Sequence, residues 1–127
     1  MRVFKTREFS RFAHRERIRD GDLCEAVERA ELGLVDADLG GGVIKQRVAR
    51  PGQGRSGGFR TVIAFRSGQR SIFMFGFAKS RKANLSGPEL VQYRALADFF
   101  LLANEATIKK MIDEDELSEI DCDGQDD

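Results

Sequence analysis

The period of apolar and polar positions changes several times along this chain, and each change marks an element. Arg2–Lys5 alternates with Val3, and Met1 beside it, turned inward, which predicts a short first strand. From Thr6 the period lengthens. Phe9, Phe12 and Ala13 recur at helical spacing behind a Thr6 N-cap, predicting an amphipathic helix to about Arg15. Arg7, Arg11, Arg15, Arg17 and Arg19 fall mostly off its apolar stripe. Asp20-Gly21-Asp22 reads as a turn, with Asp22 capping a second helix and Glu25 in the capping-box position. Leu23, Ala26, Val27 and Ala30 form the buried stripe of that helix, and Gly33 suits its end. The two helices read as a hairpin with one face free to cover a sheet.

Period two then takes over, as expected of strands, over Val43–Val48, Phe59–Phe65 and Ser71–Ala78. Arg66-Ser67-Gly68-Gln69 predicts a tight turn between the last two, and the glycine-rich segment 51–58 a longer, mobile loop between the first two. Alternation puts Lys45 and Arg47 on one face, lets Arg60 join them from the neighbouring strand, and leaves Lys79 just past the third. Phe73, Phe75 and Phe77 share a face by the same rule, either as core beneath the helices or as a platform, with core packing ranked ahead. Ser86-Gly87-Pro88-Glu89 opens a further helix by cap, proline and box, carried on by Leu90, Tyr93, Leu96, Ala97, Phe100 and Leu101. Asn104 recaps the chain before Thr107–Ile112. Residues 113–127 hold nine acids, predicting a short strand or coil around Leu117–Ile120 and then a frayed tail.

Composition adds bounds. A chain of 127 residues predicts one domain, here 1–120, with 121–127 as an acidic tail. No apolar run approaches the roughly 18 residues of a membrane span, and the first residues lack a signal peptide's apolar core, so a cytoplasmic protein is expected. Cys24 and Cys122 stand apart without metal-ligand spacing and read as two reduced thiols. The net charge of zero conceals a division. Residues 1–82 carry 18 Lys/Arg against 9 Asp/Glu, and residues 83–127 carry 3 against 12. Between Leu39 and Pro88 stand ten cations and no acid: Lys45, Arg47, Arg50, Arg55, Arg60, Arg66, Arg70, Lys79, Arg81 and Lys82. A sheet charged this way repels itself, and a polyanionic partner such as nucleic acid would relieve it.

The residue types limit the chemistry. The glycine-rich segment lacks the Lys-Ser/Thr ending of a phosphate-cradling loop and joins strands rather than opening a helix. As a connector bearing Arg55 it could still meet phosphate oxygens through backbone amides. His14 is the only histidine and reads as a surface or half-buried residue. No Ser-His or Cys-His set assembles, and neither a metal nor another cofactor is expected. Any catalysis must run on lysine and arginine, which suits RNA cleavage by attack of a ribose 2′-hydroxyl on the adjacent phosphate. From the charge pattern alone, binding without chemistry ranks ahead of catalysis.

Three runs carry a family resemblance: Asp36-Ala37-Asp38-Leu39-Gly40-Gly41-Gly42, then Arg50-Pro51-Gly52-Gln53-Gly54-Arg55-Ser56-Gly57-Gly58-Phe59-Arg60-Thr61, then Gly76-Phe77-Ala78-Lys79. Over residues 1–122 the chain resembles the HigB-like branch of the RelE/ParE toxins of type II toxin–antitoxin systems. The resemblance implies an α+β fold: a small twisted antiparallel sheet of about four strands, an N-terminal helical hairpin packed on it, and C-terminal helices. It implies a ribosome-dependent endoribonuclease that cuts translated mRNA, needs no metal, and is neutralised by a cognate antitoxin, often a helix-turn-helix DNA-binding protein. Carried over by position, Lys45 and Arg47 would contact mRNA and assist proton transfer, and Arg60 would stabilise the scissile phosphate. Lys79 would add a further cation, with Arg50, Arg55, Arg66, Arg81 and Lys82 binding RNA. The chain departs from the pattern in two places. The positions just after Lys79 are Ser80, Arg81, Lys82, Ala83, Asn84 and Leu85, without the tyrosine or histidine common there, and the only tyrosine, Tyr93, falls inside the predicted C-terminal helix. Ala78-Lys79-Ser80-Arg81-Lys82 also stands where the branch commonly reads Ala-Lys-Asn-Glu-Arg. The general acid is left unassigned. Two other readings stand beside this one, a ParE-like inhibitor of DNA gyrase and a non-catalytic RNA- or ribosome-binding module.

Overall fold

The computed structural model of the chain describes residues 1–50, 54–78 and 84–123, with the backbone alone for 50 and 54–57. Its elements run β1 (Arg2–Thr6), α1 (Arg7–Glu16), α2 (Asp20–Glu31), β2 (Ala37–Gly40), β3 (Val43–Arg50), β4 (Gly54–Arg66), β5 (Arg70–Ala78), α3 (Gly87–Leu102), α4 (Glu105–Asp113) and β6 (Leu117–Ile120). The strands form one six-stranded sheet in the order β2-β3-β4-β5-β1-β6. All neighbours are antiparallel except β1 and β5, which are parallel. The expected antiparallel sheet of about four strands is therefore corrected to a mixed one of six. β2 was hidden because four residues, Ala37–Gly40, are too few for alternation to show. β6 forms where the acidic C-terminus allowed strand or coil.

Helices cover both faces of the sheet. Phe9, Phe12 and Ala13 of α1 and Leu23, Ala26, Val27 and Ala30 of α2 bury against Ile44, Val48, Phe59, Ile63 and Phe73. On the other face Ala97 and Phe100 of α3 and Ile108 and Met111 of α4 bury against Phe4, Val43, Val62, Ala64, Ile72 and Met74. Each phenylalanine fully removed from water adds about 2 kcal/mol to this core. The expected N-terminal hairpin is corrected in detail: α1 rests on β5 and β1, α2 rests on β3, and each packs on the sheet rather than on the other.

The caps follow the sequence closely. The Thr6 hydroxyl accepts from the Phe9 N–H (3.1 Å), Ser86 from Glu89 (3.3 Å) and the Asn104 side chain from Thr107 (2.8 Å). At α2 the assignment shifts. The helix opens at Asp20, and Asp22 works from the third position, accepting from the Arg19 backbone N–H at 3.4 Å. Glu25 pairs with Arg29 (2.8 Å). Met1 is exposed rather than inward.

Three further expectations are overturned. The glycine-rich segment is largely strand, since β4 begins at Gly54 and Gly54 pairs with Arg50; the loop expected there falls on 51–53, outside the described residues. A bulge splits the phenylalanine row. Val62 pairs with Phe75 but Ile63 pairs with Phe73, so one extra residue on β5 turns Phe73 to the α1/α2 face and Phe75 and Phe77 to the α3 face. Finally, Cys24 and Cys122 are joined as a disulfide with Cα atoms 5.5 Å apart, not two reduced thiols. Ninety-eight residues separate them in sequence, so no local spacing could have paired them.

Candidate nucleic-acid interface

Gln46 decides which way β3 faces. Its amide is buried on the α1/α2 side, donating to the Ala26 carbonyl (2.9 Å) and the Leu34 carbonyl (3.3 Å) and accepting from the Asp36 N–H (2.7 Å). A one-residue slip would expel it to solvent, so the register is fixed and Lys45 and Arg47 must point to the α3 side. Arg29 of α2 braces the same strand by donating to the Arg47 carbonyl, while the Arg47 N–H donates to Asp36 Oδ2 at 2.6 Å.

On that face the cross-strand rows place the candidates together. Arg47 lies opposite Arg60, and Arg60 opposite Phe77; Lys45 lies opposite Val62, and Val62 opposite Phe75. Directly opposed side chains stand about 5 Å apart. Lys45 is half-buried and donates from Nζ to Asn84 Oδ1 at 2.9 Å. Arg47 is exposed. Arg60 is only 6 % exposed, and its Nη1 has no hydrogen-bond partner among the described residues.

Aromatic rings close one side of this patch. Phe75 and Phe77 have ring centroids 5.7 Å apart, and Tyr93 of α3 stacks on Phe75 at 5.5 Å with planes 24° apart. Burial, with the Glu8 and Glu89 carboxylates adding to it, pushes the Tyr93 phenol up to about 12. Near neutral pH it keeps its proton, so it can donate a hydrogen bond but does not serve as a phenolate base. Tyr93 and Asn84 were missed by sequence reasoning. Tyr93 sits in α3 at helical spacing, and nothing in that spacing says the helix delivers it to the sheet. The signal that could have found it is its status as the chain's one tyrosine beside an aromatic strand.

The remaining cations divide. Arg66 lies on the same face but six residues along β4 from Arg60, about 20 Å away by strand rise, and so stands apart at the β4–β5 turn. Arg70 serves the fold by donating to the Phe100 carbonyl (2.7 Å) and the Ala103 carbonyl (2.8 Å) at the end of α3. Lys79, Arg81 and Lys82 lie outside the described residues, as do the side chains of Arg50 and Arg55. His14 is exposed on α1. No helix among the described residues is long and apolar enough to cross a membrane.

Two glycines of the motif runs have steric reasons here. A Cβ at Gly76 would run into the Phe12 ring, and one at Gly58 would meet the Val48 carbonyl oxygen. The first lets α1 lie close on β5. The second lets β3 approach β4 beside Arg60. In the comparison with known families, the model described as the RelE toxin of the RelE / RelB toxin–antitoxin system matches residues 1–120. No curated protein matches the chain.

Proposed function

The chain belongs to the RelE toxin family and is a toxin of a toxin–antitoxin system with a cognate antitoxin as partner, and from that premise we propose that its basic sheet face cleaves mRNA on the ribosome in the manner of the HigB-like branch. Arg60 carries the reading. A guanidinium at 6 % exposure whose Nη1 finds no partner among the described residues is expensive to hold unless an anion completes it. A phosphodiester supplies that anion, with two non-bridging oxygens that the planar guanidinium fork can meet together. Arg60 then offsets the charge that develops on the phosphate oxygens as the ribose 2′-oxygen attacks. Arg47, directly across from it on β3, holds the same RNA strand. Lys45, oriented by Asn84, manages the proton of the attacking hydroxyl. Phe75 and Tyr93, both partly exposed and backed by the buried Phe77, offer apolar rings against which an unstacked base can lie. Lys79, Arg50, Arg55, Arg81 and Lys82 extend the RNA path, and the antitoxin is a helix-turn-helix protein.

The test is primer extension on an mRNA translated in a cell extract. The wild-type chain should give codon-phased cuts. Arg60→Met, which keeps the volume and removes the charge, should lower the cutting rate by about a hundredfold or more. Cutting by Arg60→Met at the wild-type rate would remove this site from consideration. An intact message with trapped gyrase–DNA complexes would replace the reading with gyrase inhibition. Crosslinking to RNA or ribosomes without cuts would reduce it to binding.

A further inference from the structure

The side of the sheet away from the basic face carries chemistry that RNA cleavage does not use. Cys24 lies on α2, and Cys122 lies two residues beyond the last residue of β6. Their disulfide ties the end of the edge strand to the helix layer. Both cysteines are only partly buried, and they line an open groove of about 340 Å³ with Met1, Val3, Glu28 and Asp123. The sulfurs can therefore be reached by a small thiol while the chain stays folded. Glu28, Glu31 and Asp123 are exposed on the groove's lining, so a thiolate that carries further carboxylates is repelled more than one that carries none.

We propose that Cys24–Cys122 is a thiol–disulfide exchange site that takes neutral or cationic dithiols in preference to anionic thiols, and that its redox state sets how firmly the C-terminal strand is held. In the exchange, one thiolate of the dithiol attacks a cysteine sulfur, forming a mixed disulfide and expelling the other cysteine as thiolate. The reagent's second thiol then closes on its first sulfur and releases the remaining cysteine. Two electrons pass from the dithiol to the cysteine pair. Two protons finish on the freed thiols, and the reagent leaves as its own disulfide.

The consequence is asymmetric across the molecule. Among the described residues β6 pairs only with β1, over the four positions Leu117 to Ile120, and the covalent tie spans a sequence separation of 98 in a chain of 127 residues. Closing so long a loop removes much freedom from the unfolded chain, so losing the tie should lower the melting temperature by about 10 °C. Lys45, Arg47 and Arg60 are held by the β3–β4 pairing and by hydrogen bonds to Ala26 and from Arg29 of α2, none of which involves a cysteine. Oxidation should thus prolong the life of the folded toxin without altering its basic face.

The experiment uses the full chain purified without reductant. Alkylation of the native protein followed by mass spectrometry should find no free thiol. Dithiothreitol should then expose both cysteines without denaturant and lower the melting temperature by about the stated amount. Glutathione, at equal thiolate concentration and low salt, should react about threefold or more slowly, with the gap closing at high salt or in Glu28→Gln/Asp123→Asn. Cys24→Ser and Cys122→Ser should each melt with the reduced wild type and ignore dithiothreitol. Free thiols in the untreated chain would overturn the proposal. So would reduction that needs denaturant, an unchanged melting temperature after reduction, or equal rates for the two reagents at low salt.

Discussion

On the proposed function, Arg60 is worth less to the fold than to the activity. Its burial without a full set of partners is a standing cost, so Arg60→Met should raise the melting temperature by about 4 °C, near 1 kcal/mol, while destroying the anion site. Thermal melts of the two proteins without RNA check this, and a large destabilisation would mean that the guanidinium is already satisfied. Tyr93 gives a second measurement at this scale, because it is the only tyrosine and the chain has no tryptophan. Ultraviolet titration should place its ionisation near pH 12 rather than near 10. The folded phenol therefore holds its proton more tightly than the unfolded one. The stability this lends is complete below pH 10 and is lost as the pH climbs towards 12. Tyr93→Phe should flatten that fall by about 1 kcal/mol, a figure reduced because the ring is half exposed. The sequence made Lys45, Arg47 and Arg60 legible as one face, since strand alternation fixes facing locally. It could not make Tyr93 or Asn84 legible, because their places depend on how α3 crosses the sheet.

Elements follow the same division. The N-caps at Thr6, Ser86 and Asn104 were readable because capping is settled within four residues. The bulge on β5 was not readable, because Ile72–Phe75 is an unbroken apolar run in which no residue stands out as extra, and only the pairing with β4 shows it. That bulge is what brings Phe75 and Phe77 to the cations rather than to the opposite core. Gly76, between them, faces the Phe12 ring on the other side. Gly76→Ala should cost about 2 kcal/mol by pushing α1 off β5, measured by chemical denaturation. Adding Phe12→Leu, which thins the ring out of the way, should recover part of it; no recovery would place the strain elsewhere. The β2–β3 turn shows a longer-range device. Gly40, Gly41 and Gly42 all hold positive φ, between 63° and 80°, and Arg94 of α3 lies over the first two while donating from Nε to the Leu39 carbonyl at 3.0 Å. The glycine run announced a turn, but its clamp from the far side of the chain had no local signature.

At the scale of the whole molecule, the division of charge seen in the sequence becomes a division of space. The cations at Lys45, Arg47 and Arg60 belong to β3 and β4, whereas the acidic C-terminus enters the sheet as β6, three strands beyond β4. At about 4.8 Å per strand that is roughly 14 Å, more than the Debye length of about 8 Å at physiological salt. The acids near β6 also have local work. Glu119 and Glu105 both hold Arg2, and that guanidinium, with Arg70 in support, keeps the Glu105 carboxyl below the usual carboxylate range. A lid on the basic face made by the acids of β6 is therefore disfavoured by distance and by their engagement with Arg2. The salt dependence of single-stranded RNA binding tests it. Each phosphate contact contributes about 0.7 to the slope of log affinity against log salt, so Arg47→Ala should make that slope shallower by about 0.7. Glu119→Gln and Asp123→Asn should leave slope and affinity where they were. Tighter binding in either acid-to-amide variant would mean that the acidic edge reaches across the sheet to compete with RNA.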